Sequence, residues 1–96
     1  MIKLVAKRWL KPGVWDEYIA LARTLVDQTR EEPGCVDYAL YGVKEENLAV
    51  MMETWTDQES LDVHLARLRA ENWGGRLNVF ADPERQPILE KYQELY

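Results

Sequence analysis

Apolar and polar residues alternate over residues 2–11, with Ile2, Leu4, Ala6 and Leu10 on one side and Val5 and Trp9 among lysines on the other. A two-residue period of this kind predicts a β-strand. Only Arg8 interrupts its apolar side. Pro12-Gly13 breaks the pattern, and from Val14 the period turns helical, placing Val14, Trp15, Tyr18, Ala22, Leu25, Val26 and Thr29 on one stripe. Glu31-Glu32-Pro33-Gly34 ends this helix, because a residue before proline avoids the helical region and glycine permits the turn. Residues 35–43 and 48–55 are short, aromatic and β-branched runs joined by the polar Lys44-Glu45-Glu46-Asn47, which predicts a hairpin. Thr56-Asp57-Gln58-Glu59 then has the form of a capping box, with Thr56 as the cap. The helix it opens is expected to reach about Ala70, with Leu61, His64, Leu65 and Leu68 as its apolar stripe, and to stop at Asn72-Trp73-Gly74-Gly75.

The tail reads two ways. Ile88, Leu89, Tyr92, Leu95 and Tyr96 have helical spacing, yet a strand opening after Pro87 is also allowed at a sheet edge. Topology decides for the strand: strand-helix-strand-strand-helix needs one more strand to complete a ferredoxin-like unit. The fold expected is therefore α+β, a βαββαβ antiparallel sheet with two helices on one face, in a single domain over residues 1–96.

The hairpin carries a further implication. Val36, Tyr38 and Leu40 oppose Cys35, Ala39, Tyr41 and Val43 on the second strand, and Leu48, Val50 and Met52 oppose Ala49, Met51 and Trp55 on the third. Both faces are apolar, and two helices cover only one. A face open to water would alternate with polar residues. The second face is expected to pack on a copy of itself, giving a homodimer and a dimeric α+β barrel; docking on another protein is the alternative.

Composition narrows the classes. At 96 residues the chain has room for one core, and 47% apolar residues exclude a disordered chain. A net charge of −5 argues against nucleic acid, and Arg67-Leu68-Arg69 is too small a basic cluster to reverse that. No apolar run approaches the roughly 18 residues of a membrane span, and the charged, alternating start is unlike a signal peptide. A single cysteine, Cys35, leaves no internal disulfide, so a cytoplasmic protein is expected. There is no Gly-rich nucleotide loop and no His-Glu-x-x-His, and one histidine with one cysteine cannot supply the usual zinc set. Ser60 reads as a helix-terminus residue rather than a nucleophile.

Glu32-Pro33-Gly34-Cys35, Tyr38-x-Leu40-Tyr41, Glu53-x-Trp55 and Leu61-x-x-His64-Leu65 together resemble the central block of the antibiotic biosynthesis monooxygenase family, and Lys11-Pro12-Gly13 resembles its opening turn. The resemblance covers residues 1–70 well and the tail poorly. It implies a dimer of face-packed sheets with a pocket in each subunit between sheet and helices. It also implies one of several chemistries: cofactor-independent oxygenation of quinols and aromatic polyketides, haem degradation, or isomerisation of small metabolites. Haem-degrading members carry their ligand histidine further along the second helix, where this chain has Gly74-Gly75. Small-metabolite members carry a second histidine near the position of Arg69. The expectation is thus a cofactor-independent monooxygenase of a small aromatic or quinol, with no cofactor or metal. A non-catalytic dimeric ligand-binding or stress-response module and a small-metabolite isomerase are the alternatives.

The candidate site residues follow from chemistry. His64, the only histidine, is aimed at the sheet by its stripe and can hold or move a proton near neutral pH, or else satisfy a core hydrogen bond. Trp55 can stack on a flat substrate, or simply wedge sheet against helix. Glu53 becomes a base if burial raises its pKa, or else pairs with a cation across the sheet. Arg8 offers a carboxylate or phenolate anchor, unless it reaches solvent at the sheet end. Tyr38, Tyr41, Trp73 and Phe80 are further pocket-wall candidates, while Trp15 and Tyr18 read as core.

Overall fold

The computed structural model describes residues 1–96. Strand β1 (Ile2–Trp9) leads to helix α1 (Trp15–Thr29), followed by β2 (Cys35–Val43), a single 3₁₀ turn (Lys44–Glu46) and β3 (Leu48–Trp55). Helices α2 (Gln58–Ala70) and α3 (Trp73–Asn78) precede the last strand, β4 (Ile88–Gln93). The four strands form one antiparallel sheet in the order β2-β3-β1-β4, which is the ferredoxin-like arrangement. The edge strand at the tail is therefore present where topology required it.

Register places the site. Leu4 lies opposite Glu53, Ala6 opposite Met51 and Arg8 opposite Ala49, and on the far side of β3 Tyr38 lies opposite Glu53 and Leu40 opposite Met51. Directly opposed residues share a face, so Leu4, Ala6, Arg8, Tyr38, Met51, Glu53 and Trp55 all point toward the helices. The α1 stripe meets them with Tyr18, Ala22, Leu25, Val26 and Thr29, all buried. Trp15 lies over Gly42, where a Cβ would come within 2.7 Å of the indole; a side chain there would push the helix off the sheet.

Four local expectations are corrected. The cap of α2 is Asp57, whose carboxylate accepts from the Ser60 amide at 2.8 Å, rather than Thr56. Asn72-Trp73-Gly74-Gly75 does not only end α2: Asn72 takes the left-handed conformation and α3 begins at Trp73. Its two glycines disfavour a helix, but Trp73 and Leu77 are buried, and that packing holds it. A bulge between Cys35 and Asp37 leaves Val36 exposed instead of beside Tyr38. The first strand ends at Trp9, and Leu10 forms a separate bridge to Ala81.

The turn after α1 is built around Gly34, at φ 82°. A Cβ there would overlap the Ser60 side chain, so only glycine lets this turn press against the start of α2. The Thr56 amide donates to the Gly34 carbonyl at 2.9 Å. This close approach carries Glu32 onto α2.

The sheet face away from the helices bears Val5, Trp9, Tyr41, Val43, Val50, Met52, Ile88 and Tyr92, crossed by one ion pair, Lys7–Glu90 at 3.4 Å. Tyr41, Ile88 and Tyr92 are 55%, 44% and 50% exposed. No helix is long and apolar enough to cross a membrane.

Candidate active site

A cavity of about 160 Å³ lies between the sheet and the helices. Leu4, Ala6 and Met51 form its floor, and Leu65, Leu68 and Leu77 help to roof it. Its polar wall is made by Arg8, Tyr18, Tyr38, Glu53 and His64. Trp73 completes it.

His64 sits one turn after Leu61 on α2, so the buried stripe carries it inward; its side chain is 0% exposed. The ring is clasped by the Trp55 indole, 4.6 Å away and tilted 33°, and by the edge of Tyr38 at 5.4 Å. Nδ1 lies 2.7 Å from Glu32 Oε2, while Arg67 Nε donates to Glu32 Oε1 at 2.7 Å. Arg67 Nη2 also donates to Thr29 Oγ1 at 3.1 Å, which ties the clamp to α1. A carboxylate held by a guanidinium is an acceptor, so Nδ1 carries the proton and Nε2 is bare. Nε2 is buried and has no hydrogen-bond partner. Its nearest polar neighbour is Glu53 Oε1 at 3.8 Å, too long for a hydrogen bond. An unsatisfied imidazole nitrogen inside an apolar cavity is costly unless a ligand uses it.

Glu53 faces the same space. The Trp55 indole donates to its Oε1 at 2.9 Å. Burial raises the Glu53 pKa from 4.5 to about 7; the Trp55 hydrogen bond pulls it down and the Glu32 charge adds to the rise. Burial lowers the His64 pKa, opposed by its bond to Glu32. Burial thus favours the neutral form of both groups. His64 also borders an outer cleft with Glu32, Pro33 and Ser60, so its ring separates the cavity from that cleft.

The raised Glu53 pKa has a consequence for stability. The folded state binds more protons than the unfolded state between pH 4.5 and 7, so this group's contribution is full below that window and is lost as pH rises through it. At about 1.4 kcal/mol per pKa unit, the loss is about 3 kcal/mol. Glu53→Gln is expected to lack this loss, so its stability relative to the native chain rises by about that amount between pH 5 and pH 8. Urea unfolding at the two pH values measures it; an unchanged difference would mean that Glu53 titrates normally.

Of the predicted site residues, Arg8, Tyr38, Glu53, His64 and Trp73 line the cavity. Three do not. Trp55 is wholly buried behind Glu53 and His64 and presents no face to a substrate. Tyr41 lies on the opposite face of the sheet, as its odd spacing from Tyr38 requires. Phe80 packs edge-on against Tyr18 with ring centroids 6.0 Å apart, outside the cavity wall. The Glu32–Arg67 clamp was not anticipated, since Glu32 reads as part of a turn and Arg67 as a solvated face. The three-residue spacing of His64 and Arg67 on one helix was the available signal.

Residues 1–73 match the family model described as antibiotic biosynthesis monooxygenase. The chain is 38% identical over 65 residues to YcnE of Bacillus subtilis, whose name marks it provisionally as a monooxygenase; the match covers 67% of this chain and 68% of that one. It is also 38% identical over 56 residues to the uncharacterized protein sll1783 of Synechocystis, covering 57% of this chain but only 38% of that longer protein. Among solved structures, a conserved protein from Methanosarcina mazei superposes with a TM-score of 0.86 at 30% identity, covering 97% of this chain and 91% of that chain.

Proposed function

Because the chain belongs to the antibiotic biosynthesis monooxygenase family, we propose that it is a cofactor-independent monooxygenase of a small aromatic or quinol substrate bound in the cavity beside His64. The observation that carries this reading is the buried Nε2 of His64, left without a hydrogen-bond partner on a side chain that lines the cavity. Such a nitrogen accepts a proton from a substrate hydroxyl, and the resulting electron-rich phenolate is the species that reduces dioxygen. The leucines of the roof give the space an apolar lining. With a dihydroxybenzene the step balances without an external reductant. One oxygen atom enters the ring and the other leaves as water with two hydrogens, giving a hydroxyquinone, and the substrate supplies all four electrons. Glu53, with its pKa near 7, takes part as the neighbouring proton store.

Oxygen uptake by the purified protein with a panel of dihydroxybenzenes is the test. Catalysed uptake with one water formed per oxygen consumed supports the reading. Tight binding with no uptake above autoxidation would assign the cavity to a ligand-binding module.

The functional unit proposed is a cytoplasmic homodimer paired through the outer sheet face. A sheet face exposing Tyr41, Ile88 and Tyr92 is costly to leave in water, and the lone, partly buried Cys35 suits a reducing compartment. Sedimentation is expected to give twice the chain mass of 11.3 kDa. Tyr41→Glu is expected to give single chains with unchanged circular dichroism, because Tyr41 makes little use of its own subunit's core. A native chain that sediments singly at micromolar concentration contradicts the pairing.

A further inference from the structure

We infer that the cavity takes a single-ring aromatic bearing an anionic substituent, held by Arg8 at the end away from His64. This rests on the cavity being the substrate site, though not on the oxygen chemistry. Arg8 is the only lysine or arginine among the cavity-lining residues. It forms no ion pair: its Nε donates to Asn78 Oδ1 at 3.2 Å and its Nη1 to Tyr18 OH at 3.4 Å, both neutral acceptors. A guanidinium has five N–H donors, so three remain for a ligand. A partly buried cation against an apolar cavity without a counter-charge is a destabilising arrangement that an incoming carboxylate relieves. The planar fork of arginine also suits a carboxylate better than a lone hydroxyl.

Size and spacing fix the rest of the ligand. Arg8 pairs with Ala49 and Leu4 with Glu53, so Arg8 and Glu53 enter the cavity from rows four residues apart, about 13 Å along the strands. The anion and the ionising hydroxyl therefore belong at opposite ends of the molecule. A volume of about 160 Å³ is close to that of a protein cavity of about 150 Å³ that holds one benzene ring.

The test is calorimetric titration of 4-hydroxybenzoate against its neutral isostere, 4-hydroxybenzamide. The acid is expected to bind roughly ten- to a hundredfold more tightly. Arg8→Met is expected to erase that preference, so that the acid binds no more tightly than the amide. Equal affinities in the native protein, or a preference that survives Arg8→Met, would overturn the assignment. So would binding of neither compound. Both titrations need no turnover, so an acid preference without oxygen uptake would sink the oxygenase reading and leave this inference standing.

Discussion

If the proposed oxygenase chemistry holds, His64→Ala is expected to lose catalysed oxygen uptake, with kcat/KM falling about 10²- to 10⁴-fold, the range that a positioned acid–base group contributes. The size follows from the lack of a substitute. Nε2 is the one buried polar side-chain atom left without a partner, and the other nearby group, Glu53, is held by the Trp55 indole. His64→Gln should fall nearly as far, since an amide fills the space but takes no proton. Affinity for a non-reacting ring should change little in either variant, because the leucines and Met51 supply the contact area. Steady-state oxygen consumption alongside calorimetric binding separates the two effects. Retention of most activity in His64→Ala would move the base elsewhere.

Trp55→Ala is expected to cost about 3–5 kcal/mol of folding stability, against a total of about 5–15 kcal/mol for a typical domain. The indole is 0% exposed, packs on the His64 ring and meets Tyr38 edge-on at 6.5 Å. Removing it opens a void and strips Glu53 of its donor at once. Trp55→Phe keeps most of the ring and loses only the N–H, so the Glu53 pKa should climb further above 7 while the fold survives. Urea denaturation ranks the three proteins. A Trp55→Ala chain as stable as the native one would show that the indole does not knit sheet, Glu53 and His64 together.

Periodicity made most of the frame legible. The α1 stripe from Tyr18 to Thr29 is buried as its spacing requires, and both hairpin strands have the ends their composition implies. The last strand was legible only through topology, because Ile88, Leu89 and Tyr92 satisfy a helical period equally well. What stayed hidden depends on contacts far apart in the chain. Glu32 meets Arg67 across 35 positions, and nothing local to either residue announces the pairing. Helix α3 runs against its own glycines and exists because Trp73 and Leu77 find the core. Val36 escaped because a bulge resets the two-residue period without any glycine to mark it. Trp55 shows the same limit in the site: its type suggested a substrate wall, but its position behind Glu53 makes it a support.

The clearest decision comes from nitrogen-15 NMR of the single histidine ring at neutral pH, unambiguous because the chain has no other histidine. The predicted spectrum is a neutral imidazole protonated at Nδ1 with Nε2 bare. A proton on Nε2, or on both nitrogens, would contradict a cavity built to accept one from its substrate.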